Sequence, residues 1–170
     1  MDRRQFISVL VGAASAGAAR TAHAENAPGD IEYVAFVRDL YTRQVEMRKS
    51  DTHMSDAEFY PLFSREVRTL MQAPKADAGK EPDGPILNTF FGWGVLPRLE
   101  VTLDAVAPAF GGAGRVPLVR VDIVFRGEKR QIMVRPVWED DAWRIADIAY
   151  GSGPGLVAYL RRITGRGGRG

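Results

Sequence analysis

The chain has no cysteine. That excludes disulfide staples, thiolate metal ligands, iron–sulfur clusters and a cysteine nucleophile. Histidine is almost as scarce, with two in 170 residues. His23 falls in the leader described below, which leaves only His53 for any multi-histidine metal site. A Ser-His-Asp triad would have to use His53, which sits in the polar loop Ser50-Asp51-Thr52-His53 and reads as a solvated side chain. The carboxylates follow no D-x-D-x-D-G spacing, and Gly111-Gly112-Ala113-Gly114 lacks the G-x-G-x-x-G pattern and opens no helix. No cofactor is called for.

A long apolar run is also missing. Ile7 to Ala19 is short, rich in Ala and Gly, and too weak to span a bilayer. It follows the pair Arg3-Arg4 and ends at Ala22-His23-Ala24, an A-x-A cleavage pattern. Residues 1–24 therefore read as a bacterial export signal of the twin-arginine type, and the remaining domain as periplasmic. Asp2, Ile7 and Ser8 depart from the usual twin-arginine motif, so an ordinary secretory signal carrying two arginines is the alternative route. Removing the leader takes three of the 23 basic residues and one of the 21 acidic ones, so the apparent charge of +2 disappears. A neutral domain has no electrostatic claim on nucleic acid or an anionic membrane. The tail Arg166-Gly167-Gly168-Arg169-Gly170 reads as a solvated end, not an RNA-binding segment. The residues after the leader suit one domain burying roughly 70% of its unfolded surface.

Helical spacing comes first along the chain. Val34, Val37, Tyr41 and Val45 recur at steps of three and four, widened by Phe36, Leu40 and Met47, which predicts a core-facing helix from Ile31 to about Arg48 capped by Asp30. Arg38, Arg43, Glu46 and Arg48 fall on its wet side. Ser55-Asp56-Ala57-Glu58 is a capping box, Pro61 interrupts, and Ser64 caps a second helix from Arg65 to about Gln72. Residues 73–94 form a long connector whose second half, Ile86 to Trp93, is dense in apolar side chains. Such a loop either plugs the core or lines a cavity.

Alternation then takes over. Leu99–Val106, Pro117–Arg126, Arg130–Trp138 and a last strand to Tyr150 read as four half-buried strands. The last two form a hairpin around the acidic turn Glu139-Asp140-Asp141. Pro136 cannot donate to a ladder and marks an edge or a bulge. On the last strand Trp143, Ile145 and Asp147 are expected to oppose Arg144, Ala146 and Ile148. Ser152-Gly153-Pro154 opens a short final helix with Pro154 near its first position. The fold class is α+β, with N-terminal helices on a curved four-stranded antiparallel sheet and a short C-terminal helix.

In this order, three pieces resemble the nuclear-transport-factor-2-like (cystatin-like) superfamily: Phe36-Val37-Arg38-Asp39-Leu40-Tyr41, the helix start Phe63-Ser64-Arg65-Glu66-Val67, and Asp141-Ala142-Trp143-Arg144-Ile145-Ala146-Asp147-Ile148. Within it the chain is similar to domain-of-unknown-function family 3828, small exported bacterial proteins. Asp83-Gly84-Pro85-Ile86-Leu87-Asn88 resembles that family's Asp-Pro-centred loop with Gly84 inserted. The likeness runs from about Asp30 to Ile163. It implies a cone-shaped pocket between helix and sheet that serves as an isomerase or dehydratase site, a ligand cavity, or a dimer scaffold.

The candidate pocket residues are Tyr41, Asp83, Asn88, Trp93, Asp122, Arg135, Trp143 and Asp147. An acid–base enzyme would need one carboxylate, Asp83, Asp122 or Asp147, desolvated beside Tyr41, Trp93 or Trp143. Asp122 has a simpler reading as a partner of Arg120 or Arg135 across strands. The expected role is a non-catalytic module binding a small molecule or an envelope protein, with a homodimer through the sheet face left open. Mass spectrometry of protein recovered from the periplasm should give a chain that starts at Glu25, and Arg3→Lys with Arg4→Lys should trap the precursor in the cytoplasm. A periplasmic chain that keeps residues 1–24 would overturn the leader.

Overall fold

A computed structural model describes residues 30–74, 89–92, 101–111 and 116–165. Helix α1 spans Asp30–Lys49, α2 Asp56–Phe59 and α3 Arg65–Gln72, followed by β1 Val101–Gly111, β2 Val116–Phe125, β3 Glu128–Glu139, β4 Ala142–Tyr150 and α4 Leu156–Ile163. The four strands form one antiparallel sheet in sequence order, so no helix intervenes between any two of them. The α+β arrangement expected from the sequence is the one observed.

Both inner hairpin turns hold two consecutive residues in the left-handed region: Arg126 with Gly127, and Asp140 with Asp141. That geometry matches the twist of paired strands, and Asp tolerates it better than most residues. One face of the sheet is buried through Val119, Val121, Ile123, Ile132 and Val134, against the Val34, Val37, Tyr41 and Val45 stripe of α1. The two serine caps hold: Ser55 and Glu58 form the reciprocal box, and Ser64 Oγ accepts from Val67 N; Asp30, expected as the cap of α1, is instead the first residue of that helix. Pro61 lies in a 3-10 turn, Tyr60–Leu62, between α2 and α3.

Several expectations need correction. β1 continues past Val106 to Gly111, with a register shift at Asp104. A second shift pairs Arg135 with Asp147 but Pro136 with Ile145, leaving Ala146 as the extra residue of a bulge. Ile145 and Ile148 are consequently both fully buried, and the alternation expected for β4 breaks there. α4 starts at Leu156 with Gly155 as its cap, so Pro154 lies just before the helix and not at its first position. Arg48, assigned to the wet side of α1, is half-buried over the ring of Phe91.

The free edge of β4 is covered by the chain before α3: Phe63 bridges Ile145 in parallel, and Ser64 N donates to Ile145 O at 2.9 Å. The turn Thr89-Phe90-Phe91-Gly92 is itself inside the core. Phe90 stacks on Phe63, with ring centroids 5.8 Å apart, and meets Phe59 and Tyr41 edge-on. Of the two readings of the apolar connector, these four residues take the plug.

A buried turn carries carbonyls that need donors. Tyr41 Oη donates to Phe90 O at 2.9 Å, and Tyr150 Oη donates to Thr89 O. Burial first, and then Tyr150 nearby, push the Tyr41 phenol well above its ordinary pKa; burial and the Asp147 charge push Tyr150 up as well. Both hydroxyls therefore stay protonated donors. Gly92 has φ +73°, and a Cβ there would run into the Tyr150 ring. Tyr41→Phe and Tyr150→Phe should each cost about 1–3 kcal/mol in urea unfolding, because each orphans a carbonyl held in the core. The double variant should cost less than the sum, since both bonds hold one segment.

Candidate functional site

The sheet does not stay paired along its whole length. β2 and β3 run in register from Phe125↔Glu128 to Val119↔Val134, and the ladder stops there. Beyond that rung β2 continues beside β1 to Val116, while β3 continues beside β4 to Glu139. Extending the same register sets Pro117 opposite Pro136. Neither residue has an N–H, so this rung has no donor to give from either strand. The bulge at Ala146 bends the β3–β4 hairpin at the same level.

The two hairpins thus fork. The cleft between them has a volume of about 450 Å³ and is lined by Val116, Pro117, Arg135, Pro136, Val137, Trp138, Trp143 and Ala146. Trp138 and Trp143 face each other on one rung with ring centroids 5.4 Å apart, and Trp143 also meets Tyr33 of α1 at 5.5 Å. The walls are apolar and aromatic, the composition typical of small-molecule pockets.

The polar groups in this cleft are donors. Among the described residues, Trp143 Nε1 and Arg135 Nε are both buried without a hydrogen-bond partner; Arg144 Nε, one rung along opposite Val137, is a third such atom. Arg135 is tied only at its far end, where Nη2 donates to Ala146 O at 3.3 Å. Buried donors without partners are rare and cost free energy, so each calls for a reason. Among the described lining residues there is no carboxylate.

Of the eight residues proposed from the sequence, Arg135 and Trp143 come together here. Tyr41 does not: it is fully buried and engaged with the Thr89–Gly92 turn. Asp122 lies on the opposite face of β2 from the buried Val121 and Ile123, paired with Arg120 at 3.1 Å and receiving a bond from Gln131 at 3.4 Å. The pairing with Arg120 is one of the two partners expected. Asp147 stands across from Arg135 on the ladder, yet its Oδ1 accepts from Ile148 N at 2.9 Å and from Val157 N, in the first turn of α4, at 3.0 Å. It is the side-chain cap of a helix whose own cap residue, Gly155, has no side chain to offer. Asp83, Asn88 and Trp93 lie outside the described residues. Trp138 and the two prolines were not proposed as site residues. The signal that could have found them was two prolines set to meet across one hairpin.

Comparison with protein-family models, with curated proteins and with solved structures finds no match. Among the described residues, no helix is long and apolar enough to cross a membrane, and no three His, Asp or Glu side chains are grouped to hold a metal ion. Asp147→Ala should destabilise the fold by about 1 kcal/mol in urea unfolding, as loss of a helix cap does, and Asp147→Asn by less. An Asp147→Ala variant of unchanged stability would remove the capping role.

Proposed function

We propose that the protein is an exported, non-catalytic binding domain of the bacterial periplasm, built as a nuclear-transport-factor-2-like fold, with the fork between β2 and β3 as its ligand site. The reading rests on one observation: two buried donors, Arg135 Nε and Trp143 Nε1, without a partner among the described residues, in a cleft walled by Trp138, Pro117 and Pro136. The complementary molecule is small and mostly apolar, with an acceptor oxygen, neutral or anionic, that satisfies both donors. The alternative, an acid–base isomerase or dehydratase, needs a carboxylate free beside an aromatic donor. Asp122 is held by Arg120 and Asp147 by the start of α4, so neither supports it. A homodimer through the outer sheet face draws little support either, because that face carries the ion pairs Lys129–Asp104 and Arg120–Asp122 where an apolar surface would be needed.

Native mass spectrometry of protein purified from periplasm should show one small-molecule adduct. Trp143→Phe keeps the aromatic wall and removes the donor; it should lose the adduct while the unfolding midpoint stays the same or rises, since an unpaired buried N–H is removed. An adduct that survives both Trp143→Phe and Arg135→Met would place the ligand elsewhere.

A further inference from the structure

At the far end of α1 the chain forms a second recess. Met47 and Arg48 from the last turn of α1, Thr52, His53 and Met54 from the following loop, Phe59 of α2, and Thr89-Phe90 surround a volume of about 190 Å³, with Gln44 at its edge. Arg48 is the odd member. Its guanidinium is half-buried, 5.0 Å from the ring centroid of Phe91, and it has no ion pair among the described residues. Of the acidic side chains near it, Glu46 pairs with Lys49 at 2.7 Å and Glu58 with Arg43 and the Ser55 box, while Asp51, three residues on, is exposed and forms no ion pair with Arg48. Burial pulls the Arg48 pKa down from its ordinary value, as expected of a cation that has lost water without gaining an anion. The carbonyl end of α1 and the Phe91 face compensate that charge only in part.

The other polar lining groups are His53, which is exposed at the rim, the Thr52 hydroxyl, Thr89 and the Gln44 amide, whose Nε2 donates to Met54 Sδ at 3.2 Å. Met47, Met54, Phe59 and Phe90 supply apolar wall. We infer that this recess is an anion site for a small carboxylate with an apolar body, the carboxylate lying between Arg48 and His53 and the body against Met54 and Phe90. A planar guanidinium grips a carboxylate with two parallel bonds, which a point charge does not. The recess is too small for a drug-sized molecule, and a compact aryl or short-chain acid matches it. The site is separate from the fork, so either can fail without the other.

Sodium benzoate is a suitable probe, titrated into isotope-labelled protein and followed by amide chemical shifts. The expected result is saturable shifts at Thr52, His53 and Met54, weakened about tenfold or more in Arg48→Met and unchanged in Arg135→Met. Arg48→Met should leave the unfolding midpoint of the benzoate-free protein the same or raise it, because it removes a desolvated charge and keeps the apolar stem; a structural role for Arg48 would lower it. Arg48→Lys keeps the charge without the fork geometry and should bind with intermediate affinity, so the site stays testable if the methionine variant folds poorly. Shifts that never saturate, that persist in Arg48→Met, or that appear only at Trp138 and Trp143 would overturn the anion site.

Discussion

Two phenolic hydroxyls hold a turn of backbone inside the core, and the packing of the domain depends on them. Thr89 to Gly92 carries polar carbonyls into a space that would otherwise be filled by side chains alone. The bonds from Tyr41 on α1 and Tyr150 on β4 make that possible, and they tie the first helix to the last strand through a segment that belongs to neither. Once the turn is in place, Phe90 and Phe91 fill the volume between α1 and the sheet. The interior that a cone-shaped fold would offer to a ligand near Tyr41 is occupied by the chain itself. Open recesses lie instead at the fork beyond the β2–β3 ladder and beside Arg48.

The carboxylates show a similar division of labour. The β3–β4 hairpin presents Glu139, Asp140 and Asp147 along one side, and all three serve helix N-termini or the arginines beside them. Glu139 accepts from Arg65 N at 3.0 Å at the start of α3, Asp140 pairs with Arg65 at 3.2 Å, and Asp147 caps α4. Negative charge at these ends is favoured by the exposed N–H groups and the helix dipole. Arg161 of α4 pairs with Glu66 of α3, closing the ring of contacts around β4. Acidic groups used in this way are held in place by the bonds they accept, which suits a scaffold and ill suits a general base.

The fork follows from the same covalent chemistry that made Pro136 conspicuous in the sequence. One proline at a strand edge is unremarkable; Pro108 lies on the edge strand β1 without consequence. Two prolines meeting on one rung of an inner ladder end it. The opened strands then expose their flanks; the tryptophans that line them meet each other, and Trp143 also meets Tyr33, its Nε1 without a hydrogen-bond partner among the described residues.

Much of the fold was legible along the chain. Period-3.6 and period-2 patterns are local, so α1, α3, the four antiparallel strands and the two serine caps could be read from residues near one another. Of the candidate site, Arg135 was legible as a strand cation that could pair with Asp122 and Trp143 as a ring beside a carboxylate, but their meeting was not. The bulge that puts Ile145 and Ile148 on one face, the turn buried by two tyrosines, the capping of α4 by Asp147 and the unpaired state of Arg48 all join residues from different elements. Local periodicity fixes which way a side chain points from its own helix or strand. Whether a polar group finds a partner across the fold is settled only when those elements pack, because satisfaction of a buried donor depends on distances between segments far apart in sequence.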